Sequence, residues 1–143
     1  MYSKILVAID GSDTSRHALT HAIELARRLS ATLRIVHVVD MNWLPLAPEL
    51  GIDVHATSDA RRRAGEATLA AARATAQEAG IESESTLIET ETPTRHVADA
   101  IAGEAARWHA DLVLAGTHGH RGFERMFLGS VAEKVVRKSK APV

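Results

Sequence analysis

Asp111-Leu112-Val113-Leu114-Ala115-Gly116-Thr117-His118-Gly119, followed after nine residues by Gly129-Ser130, is the stretch on which the fold turns. Its apolar opening reads as a buried strand, and the residues from Ser130 to Lys140 carry helical periodicity. The glycines therefore sit between a strand and a helix. A helix start presents unpaired N–H groups and partial positive charge, so Ser130 at the N-cap and the amides behind it suit an anion, phosphate foremost. Gly116 and Gly119 can equally supply turns, and Gly129 can simply precede a helix. No glycine loop ends in Gly-Lys-Ser or Gly-Lys-Thr, and Gly116, Gly119 and Gly122 have the wrong spacing for a dinucleotide fingerprint.

Working outward, the same strand-to-helix change recurs along the chain. Lys4 to Asp10 is a branched apolar run expected of a strand buried on both faces, broken by Asp10, Gly11 and Ser12. Ala18, Leu19, Ala22, Ile23, Leu25, Ala26 and Leu29 then mark a helix capped near Ser12. Thr32 to Val39 is a second strand. Pro45, Pro48 and Gly51 make Asp40 to Thr57 an irregular loop able to cover a site. Ser58 or Asp59 is the expected cap of an Ala-rich helix running through Ala79 and closed by Gly80. Ser85 to Thr90 is a third, more polar strand expected at a sheet edge. Thr92 and Pro93 are expected to open a helix reaching about His109, with Val97, Ile101, Ala105 and Trp108 facing inward.

Alternating strands and helices predict one α/β domain over residues 1–143: a doubly wound parallel sheet, helices on both faces, strand order 3-2-1-4-5. In that order the first and fourth strands are neighbours and their following helices lie on opposite faces. The turn at Asp10 and the loop at Gly116 then open into one crevice at the carboxyl ends of the strands, where such sheets bind ligands.

Composition sets the limits. A chain of 143 residues can bury roughly 70% of its unfolded surface. With 45% hydrophobic but 3% aromatic residues, the core must be Ala, Val, Ile and Leu. A net charge of −1 provides no broad basic field, so neither nucleic acid nor a membrane surface is an expected partner. The absence of cysteine excludes disulfides, thiolate metal sites and cysteine nucleophiles. The amino terminus enters a strand pattern without a charged leader, and no apolar run approaches a membrane span, so a cytoplasmic protein is expected.

Glycine, two residues, glycine, nine residues, glycine and serine is also a pattern by which the chain resembles the ATP-binding universal stress proteins. Ile5-Leu6-Val7-Ala8-Ile9-Asp10-Gly11-Ser12 resembles that family's first strand and turn, and Leu128-Gly129-Ser130-Val131-Ala132-Glu133-Lys134-Val135 its last helix. The resemblance implies a nucleotide site of Ala8, Asp10, Gly11, Ser12, His37, Val38, Ala115, Gly116, His118, Gly119, Arg121, Gly129, Ser130 and Val131. Adenine is placed by it near Asp10, His37 and Val38, ribose beside Ala115 and Gly116, and phosphates at Gly119, Gly129, Ser130 and Val131. It further implies ATP with magnesium as ligand, and a homodimer joined through a terminal fifth strand that Ala141-Pro142-Val143 barely begins.

Several residues admit plainer readings. Arg121 and Arg125 can bond phosphate or simply be solvated. Asp10 can meet a magnesium ion at the nucleotide, or act as a turn former or helix cap. His118 and His120 lack a third ligand and fall short of a zinc site. His17 and His21 read as surface residues of the first helix, and Arg61-Arg62-Arg63 as a solvated helix face. The expected function is an ATP-dependent regulatory module whose nucleotide orders the glycine loop and the Asp40 to Thr57 segment. A slow ATPase or phosphoryl-transfer enzyme, and a module for another adenine nucleotide such as cyclic AMP, are the alternatives.

Overall fold

The computed structural model describes residues 2–41, 43–90, 96–117 and 130–143. Strand β1 (Lys4–Ala8) is followed by helix α1 (Asp13–Leu29), strand β2 (Thr32–Val39), a 3-10 turn (Leu44–Leu46) and a short helix α2 (Ala47–Leu50). Then come the long helix α3 (Val54–Glu78), strand β3 (Ser83–Glu89), helix α4 (Val97–Trp108), strand β4 (Leu112–Ala115) and helix α5 (Ser130–Lys138). All three strand pairings are parallel, and the order is β3-β2-β1-β4.

The doubly wound parallel architecture is as expected, but the described residues hold four strands instead of five. In the place of a fifth strand, one backbone bond among the described residues joins the outer edge of β4: the Val113 N–H donates to the Pro142 carbonyl at 2.9 Å.

Strand periodicity divides the core into two layers. Ile5, Val7, Leu33 and Ile35 point to the face covered by α1 and α3, where Leu19, Ala22, Ile23, Leu69, Ala72 and Ala76 meet them. Leu6, Val36 and Val113 point to the other face and pack on Ala98, Ile101, Ala105 and Trp108 of α4 and Val135 of α5. Successive residues of β1 thus serve opposite layers, which is why the run shows no polar alternation. The helices after β1 and β4 lie on opposite faces, so the sheet opens between them.

Four local expectations need correction. The segment from Asp40 to Thr57 is not irregular throughout: Pro48 lies in the first turn of α2, where its missing N–H costs nothing, and Gly51 ends that helix at φ +65°. Helix α3 starts ahead of Ser58 and Asp59, because Asp53 caps it through a 3.0 Å bond from the Ala56 N–H to Oδ1, and nothing between breaks the helix. Strand β3 begins at Ser83 and ends at Glu89, two residues earlier than expected at its start; it does pair with β2 alone, at the edge. Helix α4 begins at Val97 behind an extended His96, whose N–H bonds the Asp99 carboxylate at 3.0 Å. Thr92 and Pro93 lie outside the described residues.

Candidate functional site

The turn after β1 is built by its own polar groups. Asp10 Oδ1 accepts the Ser12 N–H at 2.9 Å, bridging Gly11, which sits at φ +82° where a side chain would be strained. Ser12 is the N-cap of α1, its hydroxyl accepting the Ser15 N–H at 3.3 Å. The buried Ser15 returns the support: its hydroxyl donates to the Ser12 carbonyl at 2.9 Å and accepts the Asp10 N–H at 3.3 Å. Asp10 is therefore the turn former that the plainer reading foresaw, and it also faces a cleft.

That cleft, of about 560 Å³, lies at the carboxyl ends of β1, β2 and β4. Ala8, Asp10, His37, Val38, Ala115, Gly116, Ser130 and Val131 line it, bringing together residues from both ends of the chain. Gly11 and Ser12 do not line it. His118, Gly119, Arg121 and Gly129, together with His120 and Arg125, lie outside the described residues.

His37 is held rigidly at the floor. Its Nδ1 is 2.9 Å from the Ile9 carbonyl, which can accept but not donate, so Nδ1 carries the proton. Gly65 lets α3 close on this ring: a Cβ there would come within 2.9 Å of His37 Cδ2 and 2.7 Å of Leu87 Cδ1. Neither Gly65 nor its neighbours Arg61, Ala64 and Thr68, which line the cleft from α3, was singled out from sequence as site residues. The signal was present in the one glycine inside an Ala-rich helix, a residue that costs helix stability unless a close approach requires it.

On the opposite wall, Ser130, Val131 and Ala132 form the first described turn of α5. A hydroxyl at Ser130 and the charged groups Asp10, Asp40 and Arg61 on the remaining walls make the cleft apolar at its base and polar at its rim. Among the described residues, no group of three or more His, Cys, Asp or Glu is arranged to hold a metal ion, and no helix is long and apolar enough to cross a membrane. His17 and His21 are exposed on α1, as expected.

Comparison with known proteins agrees with this architecture. The model of the universal stress protein family matches residues 1–143. A universal stress protein of Methanocaldococcus jannaschii is 33% identical over 147 aligned positions, covering all of this chain and 81% of the relative. A solved structure of a family protein from Burkholderia pseudomallei superposes with a TM-score of 0.78 at 37% identity, covering 99% of this chain and 93% of the other. Two further structures superpose with a TM-score of 0.71: a universal stress protein in complex with cAMP, 28% identical over 99% of this chain and 94% of the other, and one from Archaeoglobus fulgidus in complex with dAMP, 26% identical over 99% and 95%. The chain belongs to the universal stress protein family.

Proposed function

We propose that the cleft binds ATP with magnesium and that the chain acts as a nucleotide-dependent regulatory module. The observation that carries this reading is the convergence of Asp10, His37, Val38, Gly116 and Ser130 on one cleft at the carboxyl ends of parallel strands. The adenine nucleotides held by two structural neighbours supply the ligand chemistry. Adenine lies against His37, Val38 and the Asp10 turn, ribose beside Ala8, Ala115 and Gly116, and the triphosphate toward Ser130 and Val131. His118, Gly119, Arg121 and Gly129 complete the phosphate contacts, with Gly11 and Ser12 acting through the turn they shape.

Magnesium fits this donor set, because Mg²⁺ bound to a nucleotide takes most of its oxygens from phosphate and water and needs one or two carboxylates. Asp10 and Asp40 both face the cleft. Assembly as a cytoplasmic homodimer along the β4 edge, where Val113 already meets Pro142, belongs to the same reading; sedimentation of the pure chain tests it.

The decisive experiment is identification of any nucleotide released when the purified chain is denatured, followed by calorimetric titration with ATP, with and without magnesium. ATP should bind and Gly129→Val should abolish binding while leaving the melting transition in place; unchanged affinity in that variant would refute the phosphate assignment. The neighbour bound to cAMP favours a second reading, in which another adenine nucleotide is the ligand, and competition between cAMP and ATP decides it. Phosphate release with magnesium, abolished by Asp10→Ala, would make the chain a slow ATPase.

A further inference from the structure

The cleft carries one cation whose surroundings set it apart. Arg61 stands on the rim, and its guanidinium carbon lies 5.2 Å from the centroid of the Trp43 ring. Its neighbour Arg62 is taken up by Glu89 and Asp59, whereas no salt bridge to Arg61 forms among the described residues. Arg61 sits one helical turn before Gly65, the point at which α3 touches His37. Helix α3 starts at the carboxyl end of the sheet, so that turn lifts Arg61 above the end of β2, on the opposite side of the cleft from Ser130.

Trp43 is an odd choice for simple packing. Its Nε1–H is buried and has no hydrogen-bond partner among the described residues, a cost that phenylalanine would not incur. What indole offers over phenylalanine is the stronger π face for a cation. A guanidinium stacked on one ring still has a second planar face, and planar cations stack on purines as they do on indole.

We propose that Arg61, backed by Trp43, is a base-stacking residue that covers the base of the bound nucleotide, the guanidinium lying between the indole and the purine. This rests on the nucleotide reading above. It assigns Trp43 of the β2–α3 connection and Arg61 of α3 a role in holding the nucleoside and leaves the phosphates to the β4–α5 side.

The test titrates the full chain with adenosine and with ATP, before and after Arg61→Ala and Trp43→Ala. Arg61 is exposed, so its removal should leave the melting temperature near that of the parent chain. Arg61→Ala should weaken both ligands by the same factor, about three- to thirtyfold for a cation stacked on an aromatic face. Trp43→Ala should weaken both in the same direction and by less. Unchanged affinity after Arg61→Ala overturns the inference alone. So does a loss confined to ATP, which would place Arg61 on the phosphates. Failure of the parent chain to bind either ligand overturns the nucleotide reading, and this inference with it.

Discussion

Gly116 at the end of β4 lies directly against Ser15 in the first turn of α1: a Cβ at Gly116 would stand 3.0 Å from the Ser15 backbone nitrogen and 2.9 Å from the Thr14 hydroxyl. The glycine read as part of a phosphate loop therefore has a packing duty as well. It lets two strand ends and a helix start share the rim of one cleft. Gly116→Ala must push α1 outward or twist β4, and overpacking of this kind costs about 1–3 kcal/mol. Thermal unfolding should show the loss; a variant that melts with the parent chain would mean that the contact relaxes freely.

At the other end of the sheet, Arg34 bonds Glu104 at 2.6 Å and Glu84 at 2.6 and 2.9 Å, and stacks on Trp108 at 4.8 Å. The Glu104 side chain is 4% exposed, and Arg107 is its other partner. Arg107 stays on Glu104 when Arg34 is removed, so Arg34→Met loses charge-assisted bonds without orphaning the carboxylate and should cost about 1.5–3 kcal/mol in denaturant unfolding. Adding Glu104→Leu should restore much of that loss, since an apolar replacement of a whole buried pair is often neutral. Ligand affinity should not move, because this cluster lies near the amino ends of the strands, away from the cleft.

Asp111 fastens the start of β4 to the start of β1. Its Oδ2 accepts the Ser3 hydroxyl at 2.8 Å and the Ser3 and Lys4 N–H groups at 2.8 and 2.9 Å, and the Ser3 and Lys4 donors hold its carboxyl below the ordinary 3.8. A depressed carboxylate stabilises the fold fully above its unfolded value and loses that contribution as pH falls through the folded one. Melting temperature should therefore decline below pH 3.8. Asp111→Asn should be less stable at neutral pH, with the gap to the parent chain closing under acid; a gap of constant size would remove the charge from the account.

The strand-and-helix order was legible because each buried strand is a short branched run and each helix has one apolar stripe. Ile5 to Val7 and Leu19 to Ala26 leave little choice. The cap at Ser12 and the junction of Asp10 with Gly116 followed from the parallel topology. What stayed hidden depends on contacts distant in sequence. Asp53 outcompetes Ser58 as a cap because the chain between them has no breaker, and Pro48 starts a helix where it was expected to prevent one. Arg61 is indistinguishable from Arg62 and Arg63 in a sequence, and only the fold sets it against Trp43.

Asp10 performs two tasks that one substitution can separate. Its Oδ1 holds the Ser12 N–H at 2.9 Å, shaping the turn, and its charge faces the cleft. Asparagine keeps the carbonyl acceptor and tolerates the same turn, so Asp10→Asn should change stability by no more than about 0.5 kcal/mol. The charge alone disappears. If Asp10 helps to hold Mg²⁺ on the triphosphate, the gain in ATP affinity on adding magnesium should fall by about tenfold, on the scale of losses at metal-supporting residues. Affinity without magnesium should hold or rise, since a negative charge has been removed from the cleft that takes the triphosphate. Calorimetric titrations of parent and variant with and without magnesium read both quantities. An equal magnesium effect in the two chains would leave Asp10 as a turn former and no more.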